Sequence, residues 1–252
     1  MPTPVRQYTD EIHEALSYWA TWLPGASIEV GDCGPVRDRV FKPEESLADY
    51  GIEFAVKAPG QPIDLQHASQ GAVSYTLQLS GGNHTIPQIP PGKAGIELSF
   101  SREHAVAIVV RNAHEHRIER IGTLRRQLLD AVTRGDFPPE YAVVTHVVVA
   151  GSATVLISSA ANAKFCASAE VDLKAGLLDL ANAGLNLTRV AADKLQTEIV
   201  ADEGLTPLFK LVGFKKNGLF WGSPRVEDLG YEDDSTPEDL GEIRPGDTDP
   251  AE

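Results

Sequence analysis

The sequence is poor in cysteine and contains no long hydrophobic run. Of 252 residues only Cys33 and Cys166 are cysteine, which excludes a disulfide framework and a cysteine-rich zinc site. No stretch reaches the roughly eighteen consecutive apolar residues of a membrane-spanning helix, and the first residues lack the apolar core of a signal peptide. We therefore expect a protein made in the cytoplasm, a reducing compartment.

Basic residues are scarce, most of all near the C-terminus. The chain has 22 Lys and Arg against 36 Asp and Glu, a formal charge of −14. Residues 227–252 hold eleven acids against the single base Arg244, so this stretch carries −10 and leaves −4 for the rest. No nucleic-acid partner is expected, because a polyanion requires a basic surface. Residues 218–252 have too few apolar side chains to build a core, and we predict a disordered acidic tail there.

The motifs of the common enzyme classes are also missing. The chain has no phosphate-binding G-x-x-x-x-G-K-[ST] loop, no G-x-G-x-x-G and no G-x-S-x-G. His104, His114 and His116 have spacing that a metal site uses, although a hydrated junction between a strand and a helix is the simpler interpretation. His146 lies in an apolar strand and is interpreted as a hydrogen-bonded core residue. We expect no enzyme activity and no cofactor.

Hydrophobic periodicity predicts an α+β fold with a twisted, mainly antiparallel sheet. Apolar residues at helical spacing predict an N-terminal helix over residues 8–23. A second apolar stripe predicts a long central helix over residues 115–134, which Gly135 and the prolines after it end. Strands joined mainly by hairpins fill the rest, and we treat residues 1–217 as one domain followed by the tail.

Two segments alternate apolar and polar residues with a period of two. In GAVSYTLQLS, residues 71–80, the apolar side chains fall on one face and serine, threonine and glutamine on the other. Residues 163–173 alternate in the same way and are followed by a second apolar run at 185–190. A half-buried antiparallel sheet of a soluble protein has this pattern too.

The order of elements in the second half of the chain has a counterpart in a known family. An arginine-bearing helix, ERIGTLRRQLLDAVTRGDF, is followed directly by YAVVTHVVVAGSATVLIS. A long alternating segment, NAKFCASAEVDL to LNLTRV, comes next, and LQTEIVADEGLTPLFKLVGF closes the run. In this pattern and order, residues 115–214 resemble the pore-forming domain of the gasdermin family, including its short bacterial members.

The resemblance implies a function and a set of partners. It implies an autoinhibited pore-forming protein, activated when a protease cleaves near residues 217–226 and removes the C-terminal segment. The released domain would bind membrane lipids, assemble as a homo-oligomer and move from the cytoplasm to the inner membrane. Bacterial cell death or antiphage defence would be the outcome.

A pore of this kind implies which residues enter the bilayer. Its wall must be a closed barrel of strands about 9 to 11 residues long, apolar outside and polar inside. The candidate membrane-inserting residues are Val73, Tyr75, Leu77, Leu79, Phe165, Ala167, Ala169 and Val171. The arginines of the predicted central helix, Arg117, Arg120, Arg125 and Arg126, are candidate contacts for acidic lipid head groups or for the acidic tail, or else a solvated helix face.

Two other functions remain open from the sequence. A non-enzymatic soluble binding or scaffold protein would have the same elements and never enter a membrane. A metal-dependent enzyme that uses His104, His114 and His116 is the third possibility.

Overall fold

Strands and two α-helices make up the fold in a computed structural model that describes residues 4–214 and 241–242. The mixed composition and the antiparallel pairing of the strands confirm the predicted α+β class. The helices are α1 (Pro4–Leu16) and α2 (Ile121–Arg134). The strands are β1 (Trp19–Ala20), β2 (Asp32–Arg37), β3 (Val40–Phe41), β4 (Glu45–Ser46), β5 (Val56–Lys57), β6 (Ile63–Ala68), β7 (Val73–Gln78), β8 (Ala94–Phe100), β9 (Val106–Ile118), β10 (Tyr141–Val149), β11 (Ser152–Ser158), β12 (Ala163–Ala169), β13 (Thr188–Asp193), β14 (Leu195–Asp202), β15 (Leu208–Gly213) and β16 (Gly241–Glu242).

The chain divides into two compact units. Unit 1 takes the described residues of Met1–Gly60, Glu115–Val149 and Thr206–Glu252. Unit 2 takes Gln61–His114 and Ala150–Leu205. Strand β9 therefore contributes its first part to unit 2 and its last four residues to unit 1.

The N-terminal helix is confirmed, but its predicted end is wrong. Helix α1 ends at Leu16, and Ser17 adopts a left-handed backbone with φ 58°. Trp19 belongs instead to β1, where it pairs with Phe209. Its fully buried ring stacks on that of Phe209 at a centroid distance of 6.4 Å. The helical spacing of Trp19 was misleading because a large aromatic ring gains more from this cross-strand contact than from another helical turn.

The central helix begins six residues later than predicted. Residues 115–118 continue β9, and the pairs Val56↔Ile118 and Lys57↔Arg117 with β5 hold them extended. Helix α2 then runs from Ile121 and buries Leu124, Leu128 and Ala131. It ends as predicted, because Gly135 at φ 78° donates its N–H to carbonyl oxygens of the last turn.

Strand β10 is the centre of unit 1. Residues 143–148 pair with β15, and residues 141–143 pair with β2. Strands β1 and β16 pair with β15, and β3 and β4 pair with β2. Residues 142–145 are buried, as the apolar pattern predicts for a central strand.

Unit 2 consists of two sheets that share one core. In the first sheet β9 pairs with β6 and β11, and β11 pairs with β14. The second sheet has the order β13-β12-β8-β7. Ile96, Leu98 and Phe165 of the second sheet pack in one cluster with Ala107, Val109 and Leu156 of the first. This second sheet contains both of the alternating segments.

Candidate membrane-inserting sheet

The two alternating segments belong to neighbouring hairpins in the second sheet of unit 2. Strands β7 and β8 form one hairpin, β12 and β13 form the other, and β8 pairs with β12. The register keeps the apolar residues in rows, one of which joins Phe165, Leu98 and Tyr75 across three strands. Alternating side chains point to opposite faces of a sheet, so β7, β8 and β12 together present one apolar face.

The opposite face of the same three strands is polar. Lys164, Ser99 and Ser74 form one cross-strand row, and the next row joins Cys166, Glu97 and Thr76. Lys164 Nζ lies 3.3 Å from Glu97 Oε1, and the Cys166 thiol donates a hydrogen bond to Glu97 Oε2. Burial and the hydrogen bond to Glu97 raise the pKa of Cys166 to about 11, so its thiol stays protonated near neutral pH.

The candidate membrane-inserting residues divide into a buried and an exposed group. Phe165, Ala167 and Ala169 are buried, and half-buried Val73 and Leu77 pack against the same core. In contrast, the exposed side chains are Tyr75 (50%), Leu79 (47%) and Val171 (52%).

The apolar face thus packs on the unit's own core, with three side chains left at its margin. Leu79 follows the end of β7, and Val171 lies beyond the end of β12. The connections in which these two residues lie contact each other. The Ser80 N–H donates to Asp172 Oδ1 at 2.7 Å, and this bond holds the pKa of Asp172 below its usual range.

The extent and burial of these strands differ in two details from what the alternation alone indicates. Strand β12 ends at Ala169, and its polar-face residues Cys166 and Ser168 are buried together with the apolar ones. Gln78, which lies on the polar face of β7, is only 2% exposed. The burial of Cys166 and Gln78 has one cause, because the connection between β7 and β8 folds back over the polar face and contacts both side chains. A period of two shows which residues share a face, but not what covers that face.

The connection between β12 and β13 is anchored inside the core. It contains a 3-10 turn at Gly176–Ala181, whose Leu177, Leu180 and Ala181 are buried. Two hydroxyl groups of β11 hold this turn: Thr154 donates to the carbonyl oxygen of Leu180, and Ser152 donates to that of Ala181. Sequence reasoning did not identify this anchor, since hydroxyl groups in an apolar strand give no sign of their partners.

The four candidate arginines do not share one helix face. Arg117 lies on β9 opposite Lys57, and Arg120 immediately precedes α2. Only Arg125 and Arg126 lie on the helix, and Arg125 is half-buried. The prediction of a four-arginine helix is wrong because residues 115–118 pair as a strand. Exposed Arg117, Arg120 and Arg126 remain available to an anion in unit 1.

A second polar cluster occupies unit 1 around His146. Tyr18 donates a hydrogen bond to Glu115 at 2.7 Å, and Lys210 Nζ lies 4.8 Å from the centre of the Tyr18 ring. His146 pairs directly with Lys210 across the sheet, and its Nδ1 lies 3.0 Å from Thr145 Oγ1. His146 is therefore a half-buried, hydrogen-bonded residue, close to its interpretation from the sequence.

The candidate metal ligands are not brought together. His104 precedes β9, while the eight residue steps from Val106 to His114 extend about 25 Å along the strand. Within residues 4–214 and 241–242, no group of three or more His, Cys, Asp or Glu side chains is arranged to hold a metal ion. The other thiol, Cys33, is fully buried, which raises its pKa to about 12.

The predicted domain boundary at residue 217 and the cleavage region 217–226 lie outside the described residues. So does most of the acidic tail whose disorder the composition predicts. Within the tail the structure describes only Gly241 and Glu242, which pair with Gly213 and Val212 of β15. Two tail residues therefore extend the sheet of unit 1.

Among the described residues, neither α1 nor α2 is long and apolar enough to cross a membrane. No protein family, curated protein or solved structure matches the chain.

Proposed function

We propose that this chain is an autoinhibited pore-forming protein whose second sheet in unit 2 enters the membrane. The observation that carries the proposal is the register of that sheet. Two hairpins that are separate in sequence lie side by side, and three of their strands keep one apolar and one polar face without a break. This is the arrangement that a segment of a barrel wall requires, with lipid on one face and water on the other.

Release of the sheet from its own core is the step that would need a trigger. Before release, Phe165, Ala167 and Ala169 are buried inside unit 2 and cannot meet lipid. We assign the trigger to a protease that removes the acidic tail, since a charge of −10 opposes docking on an anionic membrane. Exposed Arg117, Arg120 and Arg126 would then contact acidic head groups. The activated domain would move from the cytoplasm to the inner membrane and assemble with further copies.

The test compares the full chain with a version that ends at Asn217. Both are added to vesicles of anionic lipid loaded with a fluorescent dye, and both are expressed in bacteria. We expect dye release and growth arrest from the shortened version alone. Sealed vesicles with both proteins would refute the proposal, provided that circular dichroism shows the shortened version to be folded.

A matched pair of substitutions tests which face meets lipid. Tyr75 on the apolar face and Ser74 on the polar face are neighbours on β7, and both are exposed in the folded protein. In the version ending at Asn217, Tyr75→Lys is expected to abolish dye release, because lysine facing lipid near the middle of the bilayer costs about 2–4 kcal/mol. Ser74→Lys should be tolerated, since it faces the water-filled interior. Equal loss in both variants would contradict the assignment of faces.

One observation favours a second function, a soluble binding or scaffold protein. Five of the eight candidate residues pack on the core of unit 2, which is what an ordinary half-buried sheet does. This function predicts that removal of the tail leaves a soluble protein that does not act on vesicles.

A further inference from the structure

Residues 79–93, which connect β7 to β8, form a strap across the polar face of the second sheet in unit 2. Most of the strap is exposed, but Ile86 and Ile89 are 2% and 3% exposed. These two side chains pack against Cys166 of β12, with Ala191 of β13 beside them. Two apolar side chains therefore attach a mostly solvated loop to a polar face.

Gln78, the last residue of β7, holds the strap from within. Its Oε1 accepts the Ile86 N–H at 2.5 Å, and its Nε2 donates to the carbonyl oxygens of Pro90 at 3.2 Å and Lys93 at 2.8 Å. The side-chain amide thus binds the middle and the end of the strap at once. A buried amide without these partners would be destabilising, so Gln78 and the strap stabilise each other.

The strap lies directly on the backbone of β8. Gly95 faces it, and a Cβ atom at this position would overlap Ile89 Cδ1 and the carbonyl oxygen of Ala167. The absence of a side chain at Gly95 therefore makes room for Ile89. Contacts of this kind are made by a segment in one fixed position on the sheet.

We propose that the strap is a latch, that is, a segment that must detach from the sheet before the β7–β8 hairpin can leave it. The hydrogen bonds of the Gln78 side chain hold this latch closed. The need for detachment rests on the proposed function, since only a hairpin that enters a bilayer has to lengthen. Strands β7 and β8 have six and seven residues. A spanning strand needs about 9–11, and the strap is the chain that joins the two strands and would be drawn into them.

Cys166 reports on the strap without any membrane. In the full chain Cys166 is 1% exposed and packs against Ile86 and Ile89, so an alkylating reagent reaches its thiol when the strap opens. We expect Gln78→Ala to raise the alkylation rate of Cys166 at least about tenfold, because three hydrogen bonds are lost. Ile89→Ala, which leaves Gln78 in place, should raise it as well. Gln66→Ala, at an exposed position of β6 in the same unit, is the matched control and should leave the rate unchanged.

Peptide mass spectrometry separates opening of the strap from unfolding. Cys33 is fully buried in unit 1 and should stay unlabelled, and the amides of buried β11 should keep their protection from hydrogen exchange. Two results would overturn the latch. One is a Cys166 rate in both variants that equals the wild-type rate; the other is labelling of Cys166 only together with loss of β11 protection.

The same variants distinguish the latch from the pore. In the version ending at Asn217, Gln78→Ala should accelerate dye release by a factor similar to that found for Cys166 alkylation. If Cys166 labels faster but no version releases dye, the strap stands as a local opening unit and the proposed function fails. If dye release proceeds at the wild-type rate while Cys166 labels faster, the strap does not limit the hairpin and the latch fails.

Discussion

The two units differ in the side chains that fill their cores. In unit 1 aromatic rings contact one another: Phe209 lies 6.4 Å from Trp19 and 5.7 Å from Phe41, and Tyr50 lies 4.7 Å from Phe137. In the main cluster of unit 2, eight of the seventeen buried residues are alanine. Both α-helices belong to unit 1, whereas unit 2 consists of strands, short 3-10 turns and connections.

This difference indicates which unit rearranges more easily. A large aromatic side chain buries about 150–250 Å² and fixes its neighbours, while an alanine buries a single methyl group. A sheet that rests on alanine therefore gives up less apolar burial per residue when it leaves its core. Segments of low local stability open first, and rearrangements use them. We expect unit 2 to open under conditions in which unit 1 stays folded.

The largest effect is expected for Phe209→Ala in unit 1. This change removes the ring between Trp19 and Phe41 and should lower the free energy of unfolding of unit 1 by about 3–5 kcal/mol. Urea denaturation followed by tryptophan fluorescence reports on unit 1 through Trp19 and Trp22 when the third tryptophan is removed by Trp221→Phe, while the protection of the β11 amides from hydrogen exchange reports on unit 2. Phe209→Leu, which keeps most of the apolar volume, is the control and should recover much of the loss. Identical shifts of both signals would show that the units unfold as one.

A smaller effect is expected for Thr154→Val in unit 2. Valine has nearly the same shape, but it leaves the carbonyl oxygen of buried Leu180 without its donor, at a cost of about 1–3 kcal/mol. The β11 amides should therefore lose their protection from hydrogen exchange at lower urea concentration, with an unchanged fluorescence midpoint for unit 1. Thr188→Val, at an exposed position of β13, controls for the loss of a hydroxyl group. A fluorescence midpoint that moves together with the loss of β11 protection would show that the two units do not unfold separately.

Local patterns predicted most of the strands but not their surroundings. The alternation in β8 and the apolar run in β10 correctly predicted which of their residues are buried. The pattern of apolar residues matches the pattern of burial when one face of a strand packs on a core. Gln78 and Cys166 belong to a polar face by the same rule, yet both are buried. Their burial depends on residues 86 and 89 of a loop, and contacts between a loop and a sheet leave no periodic signal.

The errors at the helix ends have a similar physical origin. Trp19 and Ile118 both fit a helical stripe, but each gains a partner strand in the fold, β15 for Trp19 and β5 for Ile118. Tertiary pairing overrides a local preference of a few tenths of a kcal/mol per residue. Pairing with β5 also keeps Arg117 in a strand and outside the helix, so the four arginines do not form one helix face.

The smallest effect is expected from a change of pH. It tests whether the two units respond separately, because the titrating group, His146, lies in unit 1. Burial lowers the pKa of His146 below its usual 6.5, and the charges of Lys210 and Arg117 lower it further, while Glu115 acts in the opposite direction. The unfolded chain therefore binds a proton at His146 more readily than the folded one. Stability from this residue is complete above pH 6.5 and decreases as the pH falls below that value.

The measurement is the urea midpoint of unit 1 at several pH values between 5 and 8, read from tryptophan fluorescence. One titrating group contributes at most about 1.4 kcal/mol per pH unit, so the wild-type midpoint should fall modestly toward pH 5. In His146→Gln the fall should be smaller, since the neutral amide does not gain a proton near Lys210 and Arg117. His84→Gln, at an exposed position in unit 2, should keep the wild-type slope. If His146→Gln keeps that slope too, the acid sensitivity of unit 1 comes from other groups. If the protection of the β11 amides in unit 2 instead follows the protonation of His146, protonation in one unit changes the stability of the other.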